Sequence, residues 1–160
     1  MDDSTNLDIG LERALAIAHR SLASRDRTVR EVRAALERKG VSEVVIEETL
    51  DELARAGLVD DARFARRFAE DKRELERWGA ARIERELERR GVPGEHVSAV
   101  LADRGVQDEL HSALLLLEQR HPGAPADDRT RDRAWRLLVR RGYDPALAYD
   151  AVREHERRVA

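Results

Sequence analysis

The chain has no cysteine. That excludes disulfides and thiolate metal centres, and it suits a reducing compartment. Aromatic residues make up only 4% of the sequence, with 9 glycines and 4 prolines in 160 residues. Long apolar runs are missing too. The longest, residues 113–117, is far too short to span a bilayer. The first ten residues, MDDSTNLDIG, have neither the basic start nor the apolar stretch of a secretory signal, so the expected location is the cytoplasm. Lysine is nearly absent: of 30 basic residues only Lys39 and Lys72 are lysines, and the other 28 are arginines. Net charge is −3, so overall charge does not mark a nucleic-acid binder. The five histidines are scattered, with no HExxH and no i, i+4 pair, and there is no GxxxxGK[ST] or glycine-rich loop. No metal site, cofactor or catalytic constellation is expected.

What is abundant is charge and helix-forming residues. Charged residues make up 39% of the chain, well above the usual quarter or so. Ala, Leu, Glu and Arg dominate, and all favour helices. A basic motif recurs: LERKGV at 36–41, LERRGV at 87–92 and LVRRGY at 138–143. Both intervals are 51 residues, a spacing that signals tandem repeats. In this register Gly40, Gly91 and Gly142 coincide as left-handed helix stops. Upstream, Thr28, Gly79 and Thr130 coincide as helix N-caps, and Glu31 completes a capping box with Thr28. Between cap and stop, Val32/Leu36, Ile83/Leu87 and Ala134/Leu138 lie four apart, on one helix face.

A further helix is expected after each stop. Val45, Ile46, Leu50 and Leu53 face inward in the first, which Gly57 ends. Val97, Val100 and Leu101 do so in the second. The third has Asp144 as N-cap and Pro145 at its first position, with Leu147 and Val152 inward. Leading helices are expected over 9–23, 61–77 and 106–120, the second opened by Asp60-Asp61 and carrying Phe64 and Phe68 as core residues. The chain therefore reads as all-α: three tandem three-helix repeats over 9–58, 59–105 and 106–160, after a flexible acidic N-terminus (1–8). HPGAPADD (121–128) is a loop within the third. Units this small should pack on one another into an elongated, curved array.

RDRTVREVRAALERKGV (25–41), AGLVDDARFARRFA (56–69), WGAARIERELERRGV (78–92) and RLLVRRGYDPALAYDAV (136–152) resemble the bacterial RecX family over about residues 14–154. The resemblance implies tandem three-helix repeats and binding to the filament that the RecA recombinase forms on DNA. It also implies inhibition of strand exchange and ATP hydrolysis, with no catalytic site of the protein's own.

The basic pairs Arg38-Lys39, Arg89-Arg90 and Arg140-Arg141 have two readings. Cations in a helix's last turn complement its dipole, worth ~0.3–1 kcal/mol each, or they contact a partner. Upstream, Arg82, Arg85 and Arg89 form a stripe at i, i+3, i+7, copied at Arg133, Arg136 and Arg140. Stacked like charges oppose the helix slightly, which points to an anionic partner, either DNA phosphate or an acidic protein face. The opposing reading pairs them with acids of another helix, such as the seven in 43–61. The expected partner-binding set is Arg82, Arg85, Arg89, Arg90, Arg133, Arg136, Arg140 and Arg141. The expected partners are the RecA filament and, more weakly, DNA backbone, met by a monomer with no membrane contact. The alternatives are a helix-turn-helix DNA binder and a helical-repeat scaffold.

Overall fold

A computed structural model describes the backbone from Asp3 and the side chains from Gly10 to Ala160. The described residues form nine α-helices and no strand. In order they are α1 (Asp3–Ser24), α2 (Val29–Arg38), α3 (Glu43–Arg55), α4 (Asp61–Glu76), α5 (Ala80–Arg89), α6 (Gly94–Ala102), α7 (Val106–Arg120), α8 (Asp128–Arg141) and α9 (Pro145–Val159). The backbone of the acidic stretch at 1–8, expected to lie outside the fold, is helical from Asp3 onward. Met1 and Asp2 lie outside the described residues.

The local signals act as the sequence implies. Thr28 Oγ1 accepts from the Glu31 N–H at 3.2 Å, and the Glu31 carboxylate accepts from the Thr28 N–H at 3.0 Å, so the capping box is closed at both ends. Gly40, Gly91 and Gly142 all have left-handed φ, of 71°, 84° and 95°. At Asp144 the side chain accepts from the N–H groups of Ala146 and Leu147, ahead of Pro145 at the helix start. One cap differs. α8 begins a turn before its counterparts, at Asp128, and its N-cap is Asp127, whose side chain accepts from the Thr130 N–H at 2.8 Å. Thr130, expected as the cap, lies inside the helix. The carboxylate of Asp127 is a good enough acceptor to start the helix three residues early.

The packing forms two compact units. One runs through Ala65 and includes Glu88–His96; the other comprises Arg66–Leu87 and Val97–Ala160. The core of the first joins Ala14, Ile17 and Ala18 of α1, Val32 and Leu36 of α2, and Val45, Ile46, Leu50 and Leu53 of α3, with Val59 beyond. The core of the second joins Ala113, Leu116 and Leu117 of α7, Ala134 and Leu138 of α8, Ala148, Ala151 and Val152 of α9, and Tyr143 between them. These are the i, i+3, i+4 positions of the sequence pattern.

Candidate functional site: the basic helix ends and the arginine face

The LERRGV motif builds a junction, and the chain makes it twice. In the first unit the end of α5 sits on the start of α2. Thr28 Oγ1 donates to the Arg90 carbonyl at 2.7 Å, and Arg30 Nη2 donates to the Arg89 carbonyl at 2.5 Å. The Arg90 guanidinium grips Glu31, with Nε–Oε1 2.9 Å and Nη2–Oε2 3.0 Å, and lies 4.5 Å from the centre of the Phe64 ring. Asp61 of α4 accepts the Val29 N–H at 3.0 Å. In the second unit the end of α8 sits on the start of α5. Gly79 N–H donates to the Arg141 carbonyl at 2.8 Å, Ala81 N–H to the Gly142 carbonyl at 3.1 Å, and Arg82 Nη1 to the Arg140 carbonyl at 3.4 Å. Glu109 of α7 accepts the Ala80 N–H at 3.2 Å. Val29 and Ala80, like Thr28 and Gly79, are 51 residues apart. The two junctions thus obey the sequence period.

Physically, each junction satisfies the orphan carbonyls of one helix end with donors at the start of another, side chains at α2 and backbone N–H groups at α5. An acid from a neighbouring helix takes the remaining N–H, where the helix dipole favours negative charge. Glycine is required for the close approach. A Cβ on Gly79 would lie 2.5 Å from the Gly142 carbonyl carbon. One on Gly91 would collide with Arg30, and one on Gly142 with Arg82.

Charge states follow from these contacts. For Glu31, burial raises the carboxyl's pKa, but the bonds from Arg90 and the Thr28 N–H, with Arg25 nearby, outweigh it and hold the group below its usual range. Asp61 and Glu109 are pushed up by burial, which their bonds to the Val29 and Ala80 N–H groups only partly offset. Burial takes the Tyr143 phenol up to about 12, so it stays neutral. Its hydroxyl donates to the Arg77 carbonyl at 2.8 Å and stands 2.9 Å from Ser112 Oγ. Arg141 Nη1 donates to the neighbouring Glu76 carbonyl. Arg141 and Tyr143 therefore hold the end of α4, where Arg77 takes a left-handed φ of 53°.

The eight arginines of the expected partner set separate into two groups. Arg90 and Arg141, the second members of the basic pairs, are half-buried and engaged by the fold. Arg82 is half-buried as well, its guanidinium 4.0 Å from the centre of the Trp78 ring. Arg85, Arg89, Arg133, Arg136 and Arg140 are exposed. Arg136 pairs with Asp132 at 2.9 Å, an ion pair too exposed to count for much. Among the described residues no carboxylate pairs with Arg85, Arg133 or Arg140. Of the acids of 43–61, Glu43 and Glu47 bind Arg33, the former at 2.6 Å. Within the second unit the Arg133–Arg136–Arg140 row meets Arg82, which donates to the Arg140 carbonyl.

The Asp60-Asp61 pair expected to open α4 divides between two tasks. Asp60 caps its own helix, its carboxylate accepting from the Arg63 N–H at 2.9 Å, while Asp61 serves the junction. Trp78 is buried, edge-on to Phe68 at 6.1 Å and flanked by Lys72 and Arg82. No group of three His, Asp or Glu among the described residues is placed to hold a metal. No described helix is long and apolar enough to cross a membrane.

Fold and junctions together define a class: helical proteins assembled from tandem three-helix segments with charged surfaces. The chain matches the models of two such segments, the first three-helix domain of RecX over residues 14–53 and the second over residues 60–101. It is 38% identical over 146 residues to the regulatory protein RecX of Thermobifida fusca, covering 89% of this chain and 78% of that protein. It is 34% identical over 143 residues to the regulatory protein RecX of Deinococcus radiodurans, covering 89% and 68%. In three dimensions it is similar to the crystal structure of RecX from Lactobacillus salivarius, with a TM-score of 0.81 at 16% identity over 93% of this chain and 98% of that one. The chain belongs to the RecX family.

Proposed function

We propose that this chain regulates RecA by binding the RecA–DNA filament and restraining strand exchange and ATP hydrolysis. It acts as a stoichiometric ligand and not as an enzyme. Family membership supports RecA as the target. The observation that carries the binding mode is the basic face of the second unit, where Arg85, Arg133 and Arg140 are exposed and no described carboxylate pairs with them. Unneutralised guanidinium groups in a row fit DNA phosphate or an acidic protein surface. Arg90 and Arg141 belong to the fold in this reading, and Arg82, with Arg89 and Arg136, borders the contact.

The test is RecA's DNA-dependent ATPase and strand exchange, with and without the protein and with an Arg133→Glu/Arg136→Glu variant. The unmutated protein lowers both activities. The variant requires about tenfold more protein for equal inhibition, the usual scale for reversing charges in an electrostatic contact. A parent protein without effect on either activity defeats the RecA reading. A variant as potent as the parent defeats the arginine face alone.

A further inference from the structure

The junction described above has a third, unfilled instance. The ends of α5 and α8 are each seated on a helix start, whereas the equivalent end of α2, LERKGV at 36–41, is seated on no helix start among the described residues. Arg38, Lys39 and Gly40 are all exposed. The glycines report the difference directly. A Cβ on Gly91 or Gly142 would collide with the seated helix, but a Cβ on Gly40 would meet nothing within 4 Å. The α2 end nevertheless has the same geometry: a left-handed glycine at φ 71° and a cation, Lys39, at the position of Arg90 and Arg141.

We infer that the end of α2 around Lys39-Gly40 is a docking surface for a helix N-terminus on the RecA filament, one that carries a carboxylate in its first turn. The inference rests on the RecA reading above and names a contact within it. The filled junctions specify the occupant's chemistry. In the first, the seated helix offers a hydroxyl donor at its cap (Thr28) and a carboxylate three residues on (Glu31) that takes the cation. In the second, it offers backbone N–H groups to the Arg141 and Gly142 carbonyls. At the open end, the carbonyls of Lys39 and Gly40 and the Lys39 ammonium present the complementary acceptors and charge.

A second copy of this chain is the poorer occupant. The starts of α2 and α5 are both filled. The start of α8, next in the 51-residue series, is closed by its own cap: Asp127 takes both the N–H and the hydroxyl of Thr130, the groups a docked helix end would need.

Binding of the full chain to RecA–single-stranded DNA filaments, followed by fluorescence anisotropy, tests this with three variants. Lys39→Glu is expected to weaken binding about tenfold, because it places like charges across the contact. Lys39→Arg is expected to bind at least as well as the parent, since arginine makes the two-pronged contact seen at Arg90. Arg55→Glu reverses a charge at the exposed end of α3, which takes no part in the junction pattern, and should bind within about twofold of the parent. Hydrogen exchange should show filament-dependent protection at 36–41. A parent that binds no filament overturns the RecA reading and this contact together. A parent that binds, with Lys39→Glu as tight and 36–41 unprotected, overturns this contact alone. Head-to-tail oligomers that Lys39→Glu dissolves would also overturn it, in favour of a second copy.

Discussion

At the scale of single residues, Arg90 shows how a surface-type side chain becomes part of the fold. Its carboxylate partner Glu31 is bound on three sides, by Arg90, by the Thr28 N–H and, at 3.7 Å, by Arg25. The Glu31 carboxyl is held below its ordinary 4.5. A group whose folded pKa is depressed stabilises the fold fully above its unfolded value, and that contribution is lost as pH falls through the folded value. Glu31→Gln should therefore lose about 1–2 kcal/mol at pH 7, the range of charge-assisted hydrogen bonds discounted for partial exposure. The gap between variant and parent should narrow as pH falls below 4.5 and close as it passes through the depressed folded value. Urea unfolding of both proteins across that range checks the sign. A gap that widens on acidification would contradict it.

At the scale of elements, the junctions turn glycine positions into two distinct demands. Gly40 needs a left-handed φ but has open space around it, so Gly40→Ala should cost about 1–2 kcal/mol from backbone conformation alone. Gly79 shows no left-handed φ, yet its missing side chain lets the start of α5 press against the Gly142 backbone at 2.5 Å. Backbone cannot swing aside as a side-chain tip does. Gly79→Ala should therefore cost more than Gly40→Ala, at or above ~3 kcal/mol, the upper end of overpacking effects. Chemical denaturation of the two variants under one set of conditions decides the order. At the same scale Arg77 holds a left-handed conformation that glycine usually takes, kept there by the bonds from Tyr143 and Arg141 to the end of α4.

At the scale of the whole molecule, a net charge of −3 conceals a strong local imbalance. Residues 129–141 hold six arginines against one aspartate, while 43–61 hold seven acids against one arginine. Whether the arginine face meets phosphate or protein is a question of salt dependence. If it meets phosphate, the affinity for filaments falls steeply with salt, and the Arg133→Glu/Arg136→Glu variant lowers the slope by about two counterions. If it meets an acidic protein surface, the parent's dependence is already shallow and the variant loses affinity with little change of slope. Titrations at several salt concentrations separate the two. Away from any buried feature, these substitutions should leave folding stability within about 0.5 kcal/mol of the parent.

The sequence by itself determined the helices, their stops and their period, because those depend on short-range chemistry. Apolar spacing of three and four, the Thr28–Glu31 cap and the glycines at 40, 91 and 142 act within a turn or two of chain. The start of α8 escaped because two capping residues three apart, Asp127 and Thr130, compete, and the stronger acceptor starts the helix sooner. The fate of the basic pairs was not legible at all. Arg85, Arg89 and Arg90 are the same residue type on one short helix and its stop, and nothing local says which is taken up. Only the tertiary structure decided it, by bringing Glu31, 59 residues away, onto Arg90 and Glu76, 65 residues away, onto Arg141. Such long-range contacts consume one cation per copied motif as structure and leave its neighbour exposed, and no periodicity in the chain encodes that division.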